Sequence, residues 1–139
     1  MAGSAEILVI NRSVDRGRQM TEELAGKTGA AIRFEPWMGT YRVPGDIDLL
    51  VNATSIGLYP DVTTMPTVDL STAARTTLVC DAVPNPPQTA LLKAAAGRGM
   101  AVLDGLSMLV HQGAIGFRMW TGQDAPESVM KDALRDAFG

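Results

Sequence analysis

An α/β fold with a largely parallel sheet and helices on both of its faces is predicted by three observations. Short aliphatic runs recur along the chain, segments of helical length separate them, and the runs do not alternate apolar with polar residues. Strands of that kind are covered on both sides, and a helical crossover returns the chain to lay the next strand parallel to the last.

The first run, Ile7-Leu8-Val9-Ile10, predicts a strand. Ser13 is placed to cap a helix reaching about Ala25, with Met20 and Leu24 on its inner face and Gly26 and Gly29 ending it. Ala30 to Phe34 reads as a second strand. Pro36, Gly39, Pro44 and Gly45 make 35–46 a loop, and Asp48 to Asn52 is a third strand ending in the polar turn Ala53-Thr54-Ser55-Ile56-Gly57. A short helix is expected around Leu70 to Ala74, then a strand from Thr77 to Asp81. The Pro-rich turn 84–87 precedes a helix from Thr89 to Ala96, and Ala101 to Leu103 is the last strand. Two helices finish the chain, over 106–120 and 125–138. The second is opened by Asp124-Ala125-Pro126-Glu127, a capping-box pattern, and carries an apolar stripe from Val129 to Ala137. No repeat or internal linker interrupts this order, so residues 1–139 are expected to form one domain.

Composition narrows the function classes. With 46% hydrophobic and 19% charged residues, the chain has the balance of a globular protein. A net charge of −3 offers no basic surface for a nucleic-acid backbone, so no nucleic-acid partner is expected. No apolar stretch approaches the roughly 20 residues that span a bilayer, and the N-terminus lacks the charged-then-apolar order of a signal peptide. The single cysteine, Cys80, lies in an apolar run and reads as a structural thiol, which fits a cytoplasmic location.

In parallel sheets ligands sit at the carboxyl ends of strands, so the turns at 11–13, 52–55 and 81–84 are where chemistry is sought. A dinucleotide fold ordinarily places a carboxylate after its second strand to accept from the ribose hydroxyls of NAD. Here that place holds Asn11 and Arg12. A guanidinium can pair with a 2′-phosphate instead, and Arg16 stands one helical turn on; the alternative is a solvated helix start with arginines in water. Asn52, Thr54 and Ser55 offer an amide and two hydroxyls either to a ligand or to the caps of their own turn. On the helix 106–120, Gln112 shares a face with Met108, Ile115 and Met119. A buried amide in that stripe requires a backbone partner or a ligand hydroxyl. His111 is the sole histidine, with no second ligand at metal spacing and no orienting carboxylate nearby in sequence, so neither a metal site nor a general base is assigned to it. Asp81 and Asp104 read as turn and capping residues, and Trp37 and Trp120 as packing.

Five motifs follow one another in order: Asn11-Arg12-Ser13; Asn52-Ala53-Thr54-Ser55-Ile56-Gly57-Leu58; Asp81-Ala82-Val83-Pro84-Asn85-Pro86 with Thr89 and Leu91-Leu92; Asp104-Gly105-Leu106-Ser107-Met108-Leu109-Val110-His111-Gln112-Gly113-Ala114; and Phe117 with Trp120-Thr121-Gly122. Together they resemble the C-terminal half of the shikimate and quinate dehydrogenases over nearly the whole chain. The resemblance implies a Rossmann-like NADP-binding domain serving the metal-free, reversible reduction of 3-dehydroshikimate to shikimate. It implies that Asn11, Arg12, Ser13 and Arg16 hold the 2′-phosphate end, that Asn52, Ala53, Thr54, Ser55, Val83 and Gly105 line the cofactor cleft, and that Gln112 reaches the hydroxyls of a small-molecule substrate. Two residues depart from the family pattern, Pro84 in place of a tyrosine and Ala90 in place of a proline, both on the substrate and nicotinamide side.

The family's Gly-rich loop, first strand, and upstream substrate domain with its catalytic lysine and aspartate have no counterpart here. The residues near Met1 read as the end of the helix that would follow that loop and precede Ala2-Gly3-Ser4. No catalytic residue is therefore assigned to the chain, and it is expected to be inactive alone. The sheet is expected to be incomplete, with its central strand missing between the strands at Ile7 and Asp48. A non-catalytic nucleotide-binding or assembly module is the alternative reading. Unpaired strand edges invite pairing, so a homo-oligomer or a complex with a separate substrate domain is expected. Ultracentrifugation should find a dimer or larger species; a clean monomer at micromolar concentration contradicts that expectation.

Overall fold

A computed structural model describes residues 3–138; Met1 and Ala2, at the expected end of a preceding helix, lie outside the described residues. The chain divides into two compact units. One runs to Tyr41 and includes Thr67–Asp69; the other comprises Arg42–Pro66 and everything from Leu70 onward.

In the first unit β1 (Glu6–Asn11) lies parallel to β2 (Ala31–Pro36), with Glu6 opposite Ala31 and Asn11 opposite Pro36. The helix α1 (Val14–Ala25) crosses between them. Arg33 on β2 pairs with Glu6 on β1. The inner face of α1 departs from expectation. Met20 is 48% exposed, and Gly17 is the buried residue of the helix. A β-carbon on Gly17 would stand 2.1 Å from the ring of Phe34, so the helix sits on that ring because glycine leaves room for it. The helix thus turns Gly17, and not Met20, toward that ring.

The loop predicted at 35–46 contains a two-residue strand, β3 (Tyr41–Arg42), which pairs with β5 (Val68–Asp69). Two residues carry too little periodicity to be read as a strand from sequence. The Tyr41 N–H donates to the Thr67 carbonyl at 2.8 Å, and its hydroxyl donates to Glu35 Oε2 at 2.7 Å.

The second unit holds β4 (Leu49–Asn52), β6 (Leu78–Asp81) and β7 (Val102–Leu103) in one parallel sheet with β6 in the middle. With it go α2 (Ala90–Gly97), α3 (Leu106–Thr121) and α4 (Glu127–Phe138). The apolar core of this unit is built from Val79 on β6, Leu91, Leu92 and Ala95 on α2, and Leu106, Val110 and Ala114 on α3, closed by Val43, Leu70 and Val83. Cys80 is free and half-buried in the middle strand, where burial pushes its thiol upward.

The helix expected at Leu70 to Ala74 does not form. Its polar groups are spent elsewhere: the Thr72 hydroxyl donates to the Val43 carbonyl at 2.6 Å, and the Ser71 carbonyl accepts from Arg98 Nη2 at 3.1 Å. Tertiary partners for the Thr72 hydroxyl and the Ser71 carbonyl replace the bonds of a five-residue helical segment. Thr89 does cap α2, its hydroxyl accepting from Leu92 N at 3.3 Å. The pattern at Asp124 plays out differently: α4 begins at Glu127, and Asp124 reaches Arg118 at 3.4 Å. Among the described residues no helix is long and apolar enough to cross a membrane.

Burial, followed by the carboxylate of Glu35, pushes the Tyr41 phenol up from 10.0 to about 12. A group whose pKa rises on folding stabilises the folded chain below the unfolded value and loses that contribution as pH climbs through the folded one. Replacing Tyr41 with phenylalanine is expected to flatten the fall in stability between pH 10 and 12, read from denaturant midpoints. A fall of the same steepness in the variant would remove Tyr41 as its source.

Candidate functional site

At the end of β1 the Asn11 carboxamide turns back on its own chain, Oδ1 accepting from Ser13 N at 2.9 Å. That bond shapes the entry into α1 and takes the place of a side-chain cap from Ser13, which makes none. Arg12 and Arg16 are exposed, and among the described residues neither has an acidic group within ion-pair distance. Two cations without an ion-pair partner among the described residues therefore flank the start of a twelve-residue helix, whose free N–H groups favour an anion and whose first turn also carries Asp15.

The turns after β4 and β6 are joined through side chains. Register sets Asn52 opposite Asp81. Asn52 Nδ2 donates to Asp81 Oδ1 at 2.9 Å and to the Ile56 carbonyl at 3.3 Å, while its Oδ1 accepts from Thr54 N at 3.1 Å and Thr54 Oγ1 at 2.7 Å. All four hydrogen-bonding positions of the amide are thereby used. The Thr54 hydroxyl also accepts from Ile56 N at 3.1 Å, so it too serves its own turn. Ala53 and Ser55 are exposed on that turn.

Asp81 is 2% exposed and accepts three bonds: from Asn52, from Val83 N at 3.0 Å and from the Thr89 hydroxyl at 2.7 Å. Val83 is buried beside it. The two turns meet again where Tyr59 N–H donates to the Asn85 carbonyl at 3.0 Å. Gly105 packs on the same corner: a β-carbon there would lie 2.7 Å from the Ala82 carbonyl oxygen and 2.8 Å from the Val83 carbonyl carbon. In unit two the structure thus brings Asn52, Thr54, Val83 and Gly105 to one place. Asp81 and Thr89, read from sequence as a turn residue and a helix start, turn out to hold that place together. A carboxylate ending a buried strand, followed eight residues on by a helix-capping threonine, was the available signal.

On α3 the outcome differs from the sequence reading. Gln112 is exposed, without a hydrogen bond among the described residues, and the apolar stripe it shares is open: Ile115 is 62% and Met119 78% exposed. The face turned inward carries Leu106, Val110 and Ala114 instead. His111 acquires a carboxylate that sequence proximity could not show, since α4 brings Glu127 Oε2 to 3.5 Å from its Nδ1. Both are largely exposed, so the pair is a surface contact of small energetic weight. Trp37 is half-buried and bonded to the Gly39 carbonyl, whereas Trp120 is 86% exposed, against the packing role expected of it. Among the described residues no group of His, Cys, Asp or Glu is arranged to hold a metal ion.

Comparison with known proteins matches residues 105–135 to the shikimate 5′-dehydrogenase C-terminal domain. The shikimate dehydrogenase (NADP(+)) of Methanopyrus kandleri is 41% identical over 95% of this chain and 46% of its own length. Of solved structures, 5-ketofructose reductase of Gluconobacter sp. strain CHM43 superposes with a TM-score of 0.89 at 39% identity, covering 98% of this chain and 49% of that one. A shikimate dehydrogenase in complex with NADP+ superposes with a TM-score of 0.81 at 31% identity, covering 96% and 47%. The chain spans about half the length of the curated relatives it matches. Its fold is the Rossmann-like α/β fold of these neighbours.

Replacing Gly105 by alanine is expected to cost roughly 1–3 kcal/mol, because the methyl meets backbone that cannot rotate aside. Thermal denaturation checks the loss, and a stability within a few tenths of a kcal/mol of the parent would show that the corner yields freely.

Proposed function

We propose, from the premise that this chain is a homologue of the shikimate dehydrogenases matching their C-terminal domain, that residues 1–139 serve as an NADP-binding domain of an oxidoreductase in that family. The observation that carries the proposal is the pair of exposed guanidinium groups of Arg12 and Arg16 at the start of α1, without an ion-pair partner among the described residues, where an NAD-preferring site presents a carboxylate. These residues fit a 2′-phosphate, which a guanidinium meets with two parallel charge-assisted bonds. Asn11 fixes the turn that presents Arg12, and Ser13 N–H is fixed with it.

The nicotinamide supplies or accepts a hydride when bound. The residues proposed to line its side are Ala53, Ser55, Val83 and Gly105, on turns whose shape Asn52 and Thr54 set. Gln112 stays a candidate for substrate hydroxyls, because its amide lies exposed with no hydrogen bond among the described residues. The substrate is proposed to be a ketone on a polyhydroxylated carbon skeleton, 3-dehydroshikimate by kinship with the curated relatives. A keto-sugar is the second reading, favoured by the likeness to 5-ketofructose reductase. No general base is assigned to the chain. Lys131 Nζ is engaged with Ser107 at 3.2 Å, and Lys27 and Lys93 are exposed beside and on helices, outside the motifs that carry the resemblance. Acid–base assistance is typically worth about 10²–10⁴ in rate, so the chain by itself is proposed to be a poor catalyst.

Titration with NADP and NAD tests the reading. Changing Arg12 to alanine is expected to weaken NADP roughly tenfold or more while altering NAD little, since the lost bonds involve charge on both sides. Equal losses would remove the 2′-phosphate assignment, and no binding of either dinucleotide by the parent chain would remove the proposal.

A further inference from the structure

We infer that Asp81 is a positioning residue that locks the turn 53–57 to the turn 82–89, so that both move as one rigid corner of the candidate site. The inference rests on the dinucleotide reading for its functional meaning, but its geometry stands independently. Asp81 carries two oxygens and receives three donors from three different stretches of chain: the amide of Asn52, the main chain of Val83, and the hydroxyl of Thr89 at the head of α2. All three side chains are buried, Asp81 at 2%, Thr89 at 1% and Asn52 at 6% exposure, so no water competes for these bonds. No cation pairs with Asp81 among the described residues, which leaves the donors of the two turns as its compensation.

The direction of each bond makes the arrangement hard to substitute. Thr89 Oγ1 already accepts from Leu92 N, so its proton is the one given to Asp81 Oδ2. Asn52 Nδ2 shares its donors between Asp81 and the Ile56 carbonyl, so a loss at Asp81 is felt within the 53–57 turn. An asparagine at position 81 keeps the shape but replaces one acceptor with a donor, setting two donors face to face.

Hydrogen exchange followed by mass spectrometry, on the 139-residue chain and on Asp81→Asn, Thr89→Val and Thr89→Ser, tests the lock. Asp81→Asn and Thr89→Val are expected to speed exchange about tenfold or more in peptides covering both 53–57 and 82–89. Thr89→Ser, which keeps the hydroxyl, should stay close to the parent, and peptides from β1 and α1 should be unchanged in all. NADP affinity should fall in the same rank order. Acceleration of one turn without the other, equal effects of valine and serine at position 89, or a uniform rise throughout the second unit would each overturn the inference. Should Asp81→Asn fail to fold, the valine and serine pair at Thr89 decides alone. A parent chain that shows the locked turns yet takes up neither NADP nor NAD would sink the dinucleotide reading while leaving the lock in place.

Discussion

The parallel register of β4 against β6 sets Asn52 beside Asp81, and most of what is organised in the second unit follows from that adjacency. Two polar side chains at the carboxyl ends of neighbouring buried strands have to satisfy each other or pay for desolvation, and they do so while also gathering the main chain of the following turns. A slip of one residue would turn Asp81 to the other face of the sheet and leave it without its amide. Register, fixed by the apolar residues of the strands, thereby fixes the shape of a polar corner.

Glycine governs close approach in both units, for different reasons. Gly17 admits the Phe34 ring against α1, and Gly105 admits the carbonyls of Ala82 and Val83 against the start of α3. The first contact is with a side chain that can rotate; the second is with backbone that cannot. The same missing methyl thus sets a tolerance at one place and a hard limit at the other.

Much of the strand and helix order was legible, because buried parallel strands and capped helices leave continuous signals in sequence. β1, β2, β4, β6 and all four helices lie within a few residues of their expected places. What escaped was long-range. Nothing near Ser71 and Thr72 announces that Arg98 and Val43 will claim their polar groups, and nothing near His111 announces Glu127. Periodicity places Gln112 on an apolar stripe, yet it identifies a shared face without saying what covers it. The turns after β4 and β6 are legible as polar segments at strand ends, while the partnership of Asp81 with Thr89 is not, since both residues have commoner local uses.

Cys80 is the one sulfhydryl of the chain, half-buried in the central strand of its sheet, with burial holding its thiol upward. Alkylation consumes the thiolate and needs a clear line of attack, so the native sheet protects this atom twice over. An alkylating reagent accordingly acts as a clock. The time course of modification at one natural atom records how often the cover over this face of the sheet opens beyond its half-buried native state, with no fluorophore or engineered probe required.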